Sequence, residues 1–352
     1  MGKRHHFVPR FYLAAFSGAP RRINLFNLKR SQLIAEASLR DQCYVHRLYG
    51  SNDEIESALA QIEDLAAEVF RIMRNRHIVP GGGTPERDAL MMFLGLQMAR
   101  TTAAQANAVA SSRLLANVAF DGSPPKEFET TADDAMRMML AAAPTVVAAI
   151  RDLSVTLVLA DSSGISFVTS DNPVFKYNSY CEGITDFGVT GAIGRGLQLF
   201  LPVSPQLLIY LFDPVVYKLA RTRSRLVSAT RQDVEALNRL QLVGATENIY
   251  FAQRELGIWI GETASTIQPI RAVDKPRITR AVEEGNERSE LLHEYWPMPQ
   301  LGLQLSFVSI RPGLQRVPLL ERIRQVRTPY RRETQTDDSS GVVRRFEVRS
   351  QH

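Results

Sequence analysis

The beginning of the chain concentrates side chains that can transfer a proton or hold an anion. His5, His6, Arg10 and Tyr12 stand within the run HHFVPRFYL, which starts at residue 5, whereas His46 stands in isolation. Histidine changes its protonation state near neutral pH and therefore serves well as a general acid or base. Successive side chains of an extended segment point in opposite directions, so we expect one of His5 and His6 to face a given site. The alternative interpretation is an apolar N-terminal arm that packs its aromatic residues on the core and leaves its polar groups at the rim.

Two glutamates, Glu56 and Glu63, stand seven residues apart in a segment with helical periodicity. Seven residues at about 3.6 residues per turn return to nearly the same side of a helix, so the two carboxylates share a face. Two carboxylates together with an imidazole suit Mg²⁺ or Mn²⁺ better than they suit zinc. The alternative interpretation is an ordinary helix face, solvated or paired with a guanidinium such as that of Arg100 on the next helix.

The sequence Ser170-Asp171-Asn172-Pro173 follows a predicted strand. Pro173 imposes an extended backbone on Asn172. Loops at strand ends often present functional groups, so Asp171 is a candidate metal ligand, general base or orienting partner of a histidine. The alternative interpretation is a turn in which an Asp or Asn side chain bonds to backbone amides.

Helices must position the two glutamates. The spacing of apolar residues predicts three helices, one beginning at Asp53, a long one from Pro85 towards Leu115, and one from about Thr131 to Leu153. Ser51 or Asn52 would cap the first helix, and Thr84 would cap the second. A kink is expected in the third helix at Pro144.

Strands are predicted before and after this helical layer. Period-two alternation indicates a hairpin of 22–28 and 33–38, a second hairpin of 155–159 and 165–169, and further strands at 197–201, 207–212 and 248–252. One helix is expected at about 233–243. The fold class is therefore α+β, with an N-terminal arm and hairpin, a three-helix layer, and a mainly antiparallel sheet with one helix. The predicted parts are 1–50 (arm and hairpin), 51–153 (helical layer), 154–255 (sheet region), 256–327 (C-terminal extension) and 328–352 (disordered basic tail).

Composition narrows the class of protein. The chain has 352 residues, of which 45% are hydrophobic and 22% are charged, as in a globular protein of about two domains or one large one. Cys43 and Cys181 belong to no CxxC pair, which excludes a disulfide scaffold and a cysteine zinc site. The basic start is not followed by the apolar stretch of a signal peptide, and the apolar runs elsewhere are shorter than a membrane span, so we expect a cytoplasmic protein without a membrane partner. No glycine-rich loop joins a strand to a helix, and a nucleotide cofactor is not expected.

The basic charge of the chain is concentrated near its end. The formal net charge is +5, and residues 311–352 contain ten arginines and five acidic residues, which gives the same excess of +5. Residues 1–310 therefore sum to zero. We expect any non-specific binding of nucleic acid to depend on this C-terminal segment, while the oligomeric state is left open.

Six blocks of sequence together resemble a known family. They are HHFVPRFYLAAF at 5–16, a Tyr-Gly pair at 49–50, the glutamates at 56 and 63, FLGLQMAR at 93–100, FVTSDNPV at 167–174 and LPVSP at 201–205. In this order they resemble the bacterial family DUF4238, a domain of unknown function whose members open with an HHYVPxFYL-like block and carry SDxP in the middle. The resemblance covers about residues 4–255 and carries no established activity. It implies one common site formed by His5, His6, Arg10, Glu56, Glu63, Arg100, Asp171 and Asn172.

The leading hypothesis is a metal-assisted hydrolase that acts on phosphodiesters, as a nuclease does. The ligands of Mg²⁺ or Mn²⁺ would be Glu56, Glu63 and Asp171, and the catalytic residues would be His5, His6, Arg10, Arg100 and Asn172. In this hypothesis a histidine is a ligand or general base, and an arginine neutralises the phosphate.

Two alternatives compete with this hypothesis. In a non-catalytic binding or effector module, the arm closes over the helices, Glu56, Glu63 and Arg100 form a buried network, and the SDNP sequence is a turn. In the other alternative, His6 and Asp171 carry out acid–base chemistry without a metal.

Overall fold

A computed structural model describes residues 4–49, 53–160, 163–220, 225–271, 275–283 and 289–327. Three of the sequence predictions lie wholly or partly outside these residues. They are the caps at Ser51 or Asn52, the turn of the predicted hairpin around 161–164, and the tail from residue 328.

In the described residues, the helices have the following bounds: α1 Arg10–Ala14, α2 Asp53–Arg76, α3 Pro85–Ala99, α4 Thr102–Ala119, α5 Ala132–Ile150, α6 Arg231–Gly244, α7 Leu256–Arg271 and α8 Leu319–Arg322. Three short 3₁₀ helices cover Leu39–Asp41, Lys126–Phe128 and Ser179–Cys181. The hydroxyls of Thr84, Thr101, Thr131 and Thr230 each accept a hydrogen bond from the third residue of the helix that follows. Such caps satisfy an otherwise unpaired amide and fix where each helix begins.

The strands are β1 Arg4–His6, β2 Arg22–Asn27, β3 Gln32–Ser38, β4 Tyr44–His46, β5 Ser154–Leu159, β6 Thr169–Ser170, β7 Phe175–Tyr177, β8 Gln198–Ser204, β9 Leu207–Phe212, β10 Tyr217–Leu219, β11 Leu226–Ser228, β12 Asn248–Phe251, β13 Arg277–Glu283, β14 Ser289–Tyr295 and β15 Val308–Ile310. A five-stranded sheet has the order β11-β5-β9-β8-β7, and a four-stranded sheet has the order β3-β2-β12-β6. In these sheets β11 and β5 are parallel and the other neighbours are antiparallel. Two-stranded antiparallel ribbons join β1 to β4, β10 to β15 and β13 to β14. The predicted α+β class is confirmed.

The predicted second hairpin is wrong. Strand β5 lies between β9 and β11 in the five-stranded sheet, whereas β6 pairs with β12 in the four-stranded sheet. The five residues Val155–Leu159 are all buried, and a strand buried on both faces reads as a continuous apolar run and takes an interior place in a sheet. The chain therefore changes sheets between β5 and β6, which brings the SDNP sequence next to the N-terminal hairpin's sheet.

The predicted long second helix is broken. Thr101 has an extended backbone (φ −76°, ψ 155°) and caps α4, so α3 and α4 are separate helices. Its hydroxyl accepts a hydrogen bond from the Ala104 amide at 3.1 Å, which favours a new helix start over continuation. The break sets Arg100 and Thr101 at a corner between α2 and the SDNP loop. Pro144, in contrast, lies inside the continuous helix α5.

The N-terminal arm is part of the core. Helix α1 contributes Tyr12 and Leu13, and the turn after it contributes Phe16, each fully buried, to the hydrophobic cluster under α2, α3 and one face of the five-stranded sheet. The other face of that sheet packs in a second cluster with α6 and α7. Burial of three such side chains stabilises the docked arm by several kcal/mol, at about 1.5–3 kcal/mol each. The polar residues of the arm are therefore held in place by the apolar residues between them.

Candidate functional site

The ribbon of β1 and β4 separates the two adjacent histidines. Arg4 pairs with His46, His5 with Val45, and His6 with Tyr44. Because side chains alternate along a strand, Arg4, His6 and His46 share one face and His5 lies on the other. His5 is 4% exposed, whereas His6 is half-buried. His5 and His6 therefore lie on opposite faces of the ribbon, as alternation along an extended segment predicts.

The outer face of the ribbon forms one side of a cleft of about 740 Å³, which we call the arm cleft. Its basic lining residues are the arginines Arg4, Arg10 and Arg40 and the imidazoles of His6 and His46, and its acidic ones are Glu56, Glu63 and Asp64. The acidic residues all come from α2, while the arginines and histidines come from the ribbon, α1 and the 3₁₀ helix Leu39–Asp41. The arm cleft is thus basic on one side and acidic on the other.

The backbone carbonyl of Arg40 holds His6 in the wall of the arm cleft. Its Nε2 lies 3.2 Å from the Arg40 carbonyl oxygen, and because a carbonyl can only accept, Nε2 carries the proton. Nδ1 is then the basic nitrogen of the neutral ring. Burial lowers the pKa of His6 below its ordinary value of 6.5, and the positive charges of Arg10 and Arg4 act in the same direction. His6 is therefore a neutral base at pH 7.

His5 is engaged on both of its nitrogens. Its Nδ1 accepts a hydrogen bond from the Tyr49 amide at 3.2 Å, and its ring stacks on the Tyr49 ring at 5.1 Å. Its Nε2 faces Glu56 Oε2 at 3.7 Å. Both nitrogens of His5 are thus directed at protein groups, and the ring has no lone pair directed at the cleft.

Arg100 lies behind the cleft wall rather than in it. The guanidinium is 1% exposed, and its Nη1 donates to Glu63 Oε1 at 2.6 Å. Its Nε and Nη2 donate to Gln97 Oε1 at 3.0 and 2.9 Å, and Gln97 Nε2 donates to the Phe7 carbonyl at 2.9 Å. This chain of bonds joins α2, α3 and the arm; it includes the Glu63–Arg100 pair of the binding-module alternative, whereas Glu56 lies at His5 instead.

Asp171 is saturated by backbone amides. Its carboxylate is 4% exposed and accepts from the amides of Thr246, Glu247 and Asn248 at 2.7, 2.7 and 3.0 Å. Burial raises the pKa of Asp171 to about 6, against the lowering effect of the three amides. Asn172 is also fixed, because its Nδ2 donates to the Gly244 carbonyl at 3.0 Å.

The predicted metal site is not assembled. Within the part of the chain that the structure describes, no three His, Cys, Asp or Glu side chains are grouped so that they could hold a metal ion. The oxygens of Asp171 already accept three amide hydrogens, and Glu63 is paired with Arg100. Glu56, Glu63 and Asp171 therefore do not form a common ligand set, and Asp171 does not line the arm cleft.

The six blocks noticed in the sequence contact one another. The hydroxyl of Tyr12 bonds to Thr169 Oγ1 at 2.7 Å and donates to the carbonyl of Pro202. The hydroxyl of Thr101 donates to Asn172 Oδ1 at 3.3 Å. The bonds of Tyr12 connect the first block with the fifth and the sixth. The bond of Thr101 connects the junction between α3 and α4 with the SDNP loop.

Four residues that line the arm cleft were not predicted from the sequence to be site residues. Arg4, Arg40, His46 and Asp64 line it, and the interpretation of His46 as isolated was wrong. His46 comes to the cleft because β4 pairs with β1 over about forty residues of sequence, a long-range contact that local periodicity does not reveal. The cluster of basic residues around 40–47 was the available signal.

The chain was compared with known proteins. No curated protein and no solved structure is significantly similar to it. Among the described residues, none of the helices has both the length and the apolar character that crossing a membrane requires. Residues 4–255, more than half of the chain, match the family described as Protein of unknown function (DUF4238), and the chain belongs to that family.

Proposed function

We propose that the arm cleft binds a phosphodiester. The observation that carries this proposal is the convergence of three arginines from three elements, Arg4 of β1, Arg10 of α1 and Arg40 of the 3₁₀ helix, on one side of the cleft. A guanidinium presents several donors in a plane and matches the oxygens of a phosphate group. Within the described residues, Arg10 makes no hydrogen bond or ion pair of its own. Its donors are available to a ligand.

The opposite side of the cleft narrows the class of ligand. Glu56, Glu63 and Asp64 would repel a second anionic group and accept hydrogen bonds from hydroxyls. A ligand with one negative charge at the arginines and hydroxyl groups near α2 fits both sides. A phosphodiester that bears a sugar has this distribution of groups.

A second candidate function, hydrolysis of the bound diester, is favoured by the state of His6. The ring is neutral, and the Arg40 carbonyl fixes the proton on Nε2. Nδ1 would take a proton from water as the water oxygen bonds to phosphorus. The bond from phosphorus to the leaving alcohol breaks, and that oxygen takes a proton from solvent.

The hydrolysis proposed for His6 uses neither Mg²⁺ nor Mn²⁺. Asp171 and Glu63 have protein partners for the oxygens that a metal would need, so the residues present do not fit the predicted site. Metal dependence stays a prediction from the sequence, and the test below includes it.

The test uses bis(4-nitrophenyl) phosphate, a singly charged diester that reports both binding and hydrolysis. Binding to the full chain is measured by calorimetry, and we expect Arg10→Gln to weaken it about tenfold, as for loss of one charge-assisted hydrogen bond. The matched control is Arg113→Gln, which removes an exposed arginine from α4. Equal affinity of the wild type and Arg10→Gln would rule out the arm cleft as the site.

Hydrolysis separates the two candidate functions. Release of 4-nitrophenol that disappears in His6→Gln, with binding retained, would support catalysis by His6. Binding without turnover in the wild type, both in EDTA and with added Mg²⁺ or Mn²⁺, would leave a binding module. Turnover that requires an added metal would restore the metal-assisted hypothesis.

Separately, we propose that the protein is cytoplasmic and that residues near its C-terminus bind nucleic acid without sequence specificity. Residues 311–327 contain five arginines and one acidic residue, so four of the five excess charges lie there rather than beyond residue 327. Arg311 and Arg316 are exposed. Exchange of both for glutamine should reduce salt-sensitive affinity for DNA more than deletion of residues 328–352 does.

A further inference from the structure

A second cleft, of about 390 Å³, lies where α3 begins. Its lining includes the glycine turn at Gly82 and Gly83 and three arginines, Arg87, Arg151 and Arg225. We call it the α3 cleft. It shares no lining residue with the arm cleft.

Arg87 is buried in the wall of the α3 cleft with one end unsatisfied. The residue is 8% exposed, and its Nη2 donates to the Leu153 carbonyl at 2.6 Å. Its Nη1 is buried and has no hydrogen-bond partner among the residues that the structure describes. Buried polar groups are almost always paired, and an unpaired N–H of a charged group is costly, so this atom indicates a missing partner.

The charges around Arg87 have the same sign. Arg225 repels it, and burial together with this repulsion lowers the pKa of Arg87 to about 10. Among the described residues, Asp88 supplies the one carboxylate that lines the cleft, and it is paired with Arg151 at 2.9 Å. The described part of the α3 cleft therefore has an excess of positive charge around an unsatisfied donor.

We propose that the α3 cleft binds a phosphate group, either inorganic phosphate or a phosphate monoester, between Arg87 and Arg225. The N-terminus of α3, a helix of 15 residues, adds its positive end to the same place. A Cβ on Gly82 or Gly83 would meet open space, so the ligand can approach the backbone of the turn closely. Several guanidiniums suit a multiply charged oxyanion better than a single carboxylate.

The proposal is tested on the full chain with inorganic phosphate at constant ionic strength. The arm cleft also carries arginines, so titrations are carried out in the Arg10→Gln background and repeated in the wild type. Arg225→Gln should weaken phosphate binding about tenfold, because one charge-assisted contact is lost. Arg225 is exposed, so this variant is expected to fold. Arg113→Gln is again the matched control.

Arg87→Met provides the second variant. Phosphate should raise the unfolding temperature of the wild type, and Arg87→Met should remove this response. The affinities of the protein for 4-nitrophenyl phosphate and for inorganic phosphate are then compared, which shows whether the cleft takes the ester or the free ion.

The outcomes separate this site from the arm cleft. If Arg225→Gln binds phosphate as tightly as its parent, the proposal is wrong, whether or not Arg87→Met folds. If Arg10→Gln leaves diester binding intact but Arg225→Gln abolishes phosphate binding, the arm cleft proposal fails and this one stands.

Discussion

Two polar residues behind the arm cleft and two arginines in the clefts differ in how completely protein groups satisfy their hydrogen bonds. Behind the arm cleft, Arg100 and Asp171 have protein partners on every side. In the clefts, Arg10 and the Nη1 of Arg87 have none among the described residues. The same family blocks supply members of both groups. Membership of a block therefore identifies the region, whereas unsatisfied hydrogen bonding identifies the residues available to a ligand.

The largest effect that tests this difference is expected at Asp171. Replacement by alanine leaves three amides, those of Thr246, Glu247 and Asn248, without their acceptor. We expect the free energy of unfolding to fall by about 4 kcal/mol, since each charge-assisted bond contributes about 1.5–3 kcal/mol and the removed charge was costly to bury. Urea denaturation measures this, with the exposed Asp133→Ala on α5 as control. A stable Asp171→Ala that had lost diester hydrolysis would instead support the prediction that Asp171 is a metal ligand.

A somewhat smaller loss is expected for Arg100→Met. The change leaves Glu63 and the Gln97 oxygen without their donor, and breaking a buried pair costs about 3 kcal/mol or more. Arg71→Met on the outer face of α2 breaks the exposed pair with Glu68 and should have little effect. Affinity for the diester, measured on the folded fraction, should stay within about twofold of wild type. A fall of tenfold or more would mean that Arg100 reaches the ligand.

Glu63→Gln is a milder test of the same network. Glutamine keeps an acceptor for Arg100 but loses the charge, and about 1 kcal/mol of stability should be lost. Glu68→Gln, on the exposed side of the same helix, is the matched control. Retained binding and turnover would support a structural role for Glu63, whereas lost turnover in a protein of normal stability would support the metal-ligand prediction.

The smallest effect concerns the pH dependence of stability at His6. Its pKa is lowered below 6.5 in the folded protein, so the unfolded chain takes up the proton more readily. The wild type should therefore lose stability relative to His6→Gln as the pH falls below 6.5, and the difference between them should become independent of pH above it. Unfolding temperatures of both proteins between pH 8 and pH 5 measure this. A bound diester should reverse the trend, because an anion favours the charged ring, and no reversal would place the anion away from His6.

Local patterns predicted several of the long helices and seven of the fifteen strands in the described residues, but of the strand pairings only that of β2 with β3. The hairpin of β2 and β3, the long helix α2 and the strands β8 and β9 all follow from periodicity and turn residues. The wrong hairpin at β5 came from assigning a continuous apolar run to its nearest neighbour in sequence, although burial on both faces required two distant partners. The broken helix at Thr101 depended on a capping hydroxyl, which also suits a helix interior when seen in sequence alone.

The sequence identified several residues of the candidate site but did not reveal how they are arranged. His6, Arg10, Glu56 and Glu63 do line one cleft. Asp171 does not, since the direction of a carboxylate depends on which amides the chain brings to it, here those of 246–248 from a distant turn. The unsatisfied end of Arg87 has no sequence signature at all, because burial and pairing are properties of the folded chain.

The anchoring of Tyr12 has a consequence for how sequences of this family can vary. Its hydroxyl fastens α1 to Thr169 and Pro202, and Phe7 bonds through its amide to the Cys43 carbonyl. Between these fixed points the chain has a set length, and alternation along β1 decides which histidine is buried. Substitutions in the arm can be absorbed locally, but a one-residue insertion between His6 and Phe7 would move His6 to the buried face and His5 to the outer face. We therefore expect homologues to vary in residue identity here while preserving the spacing.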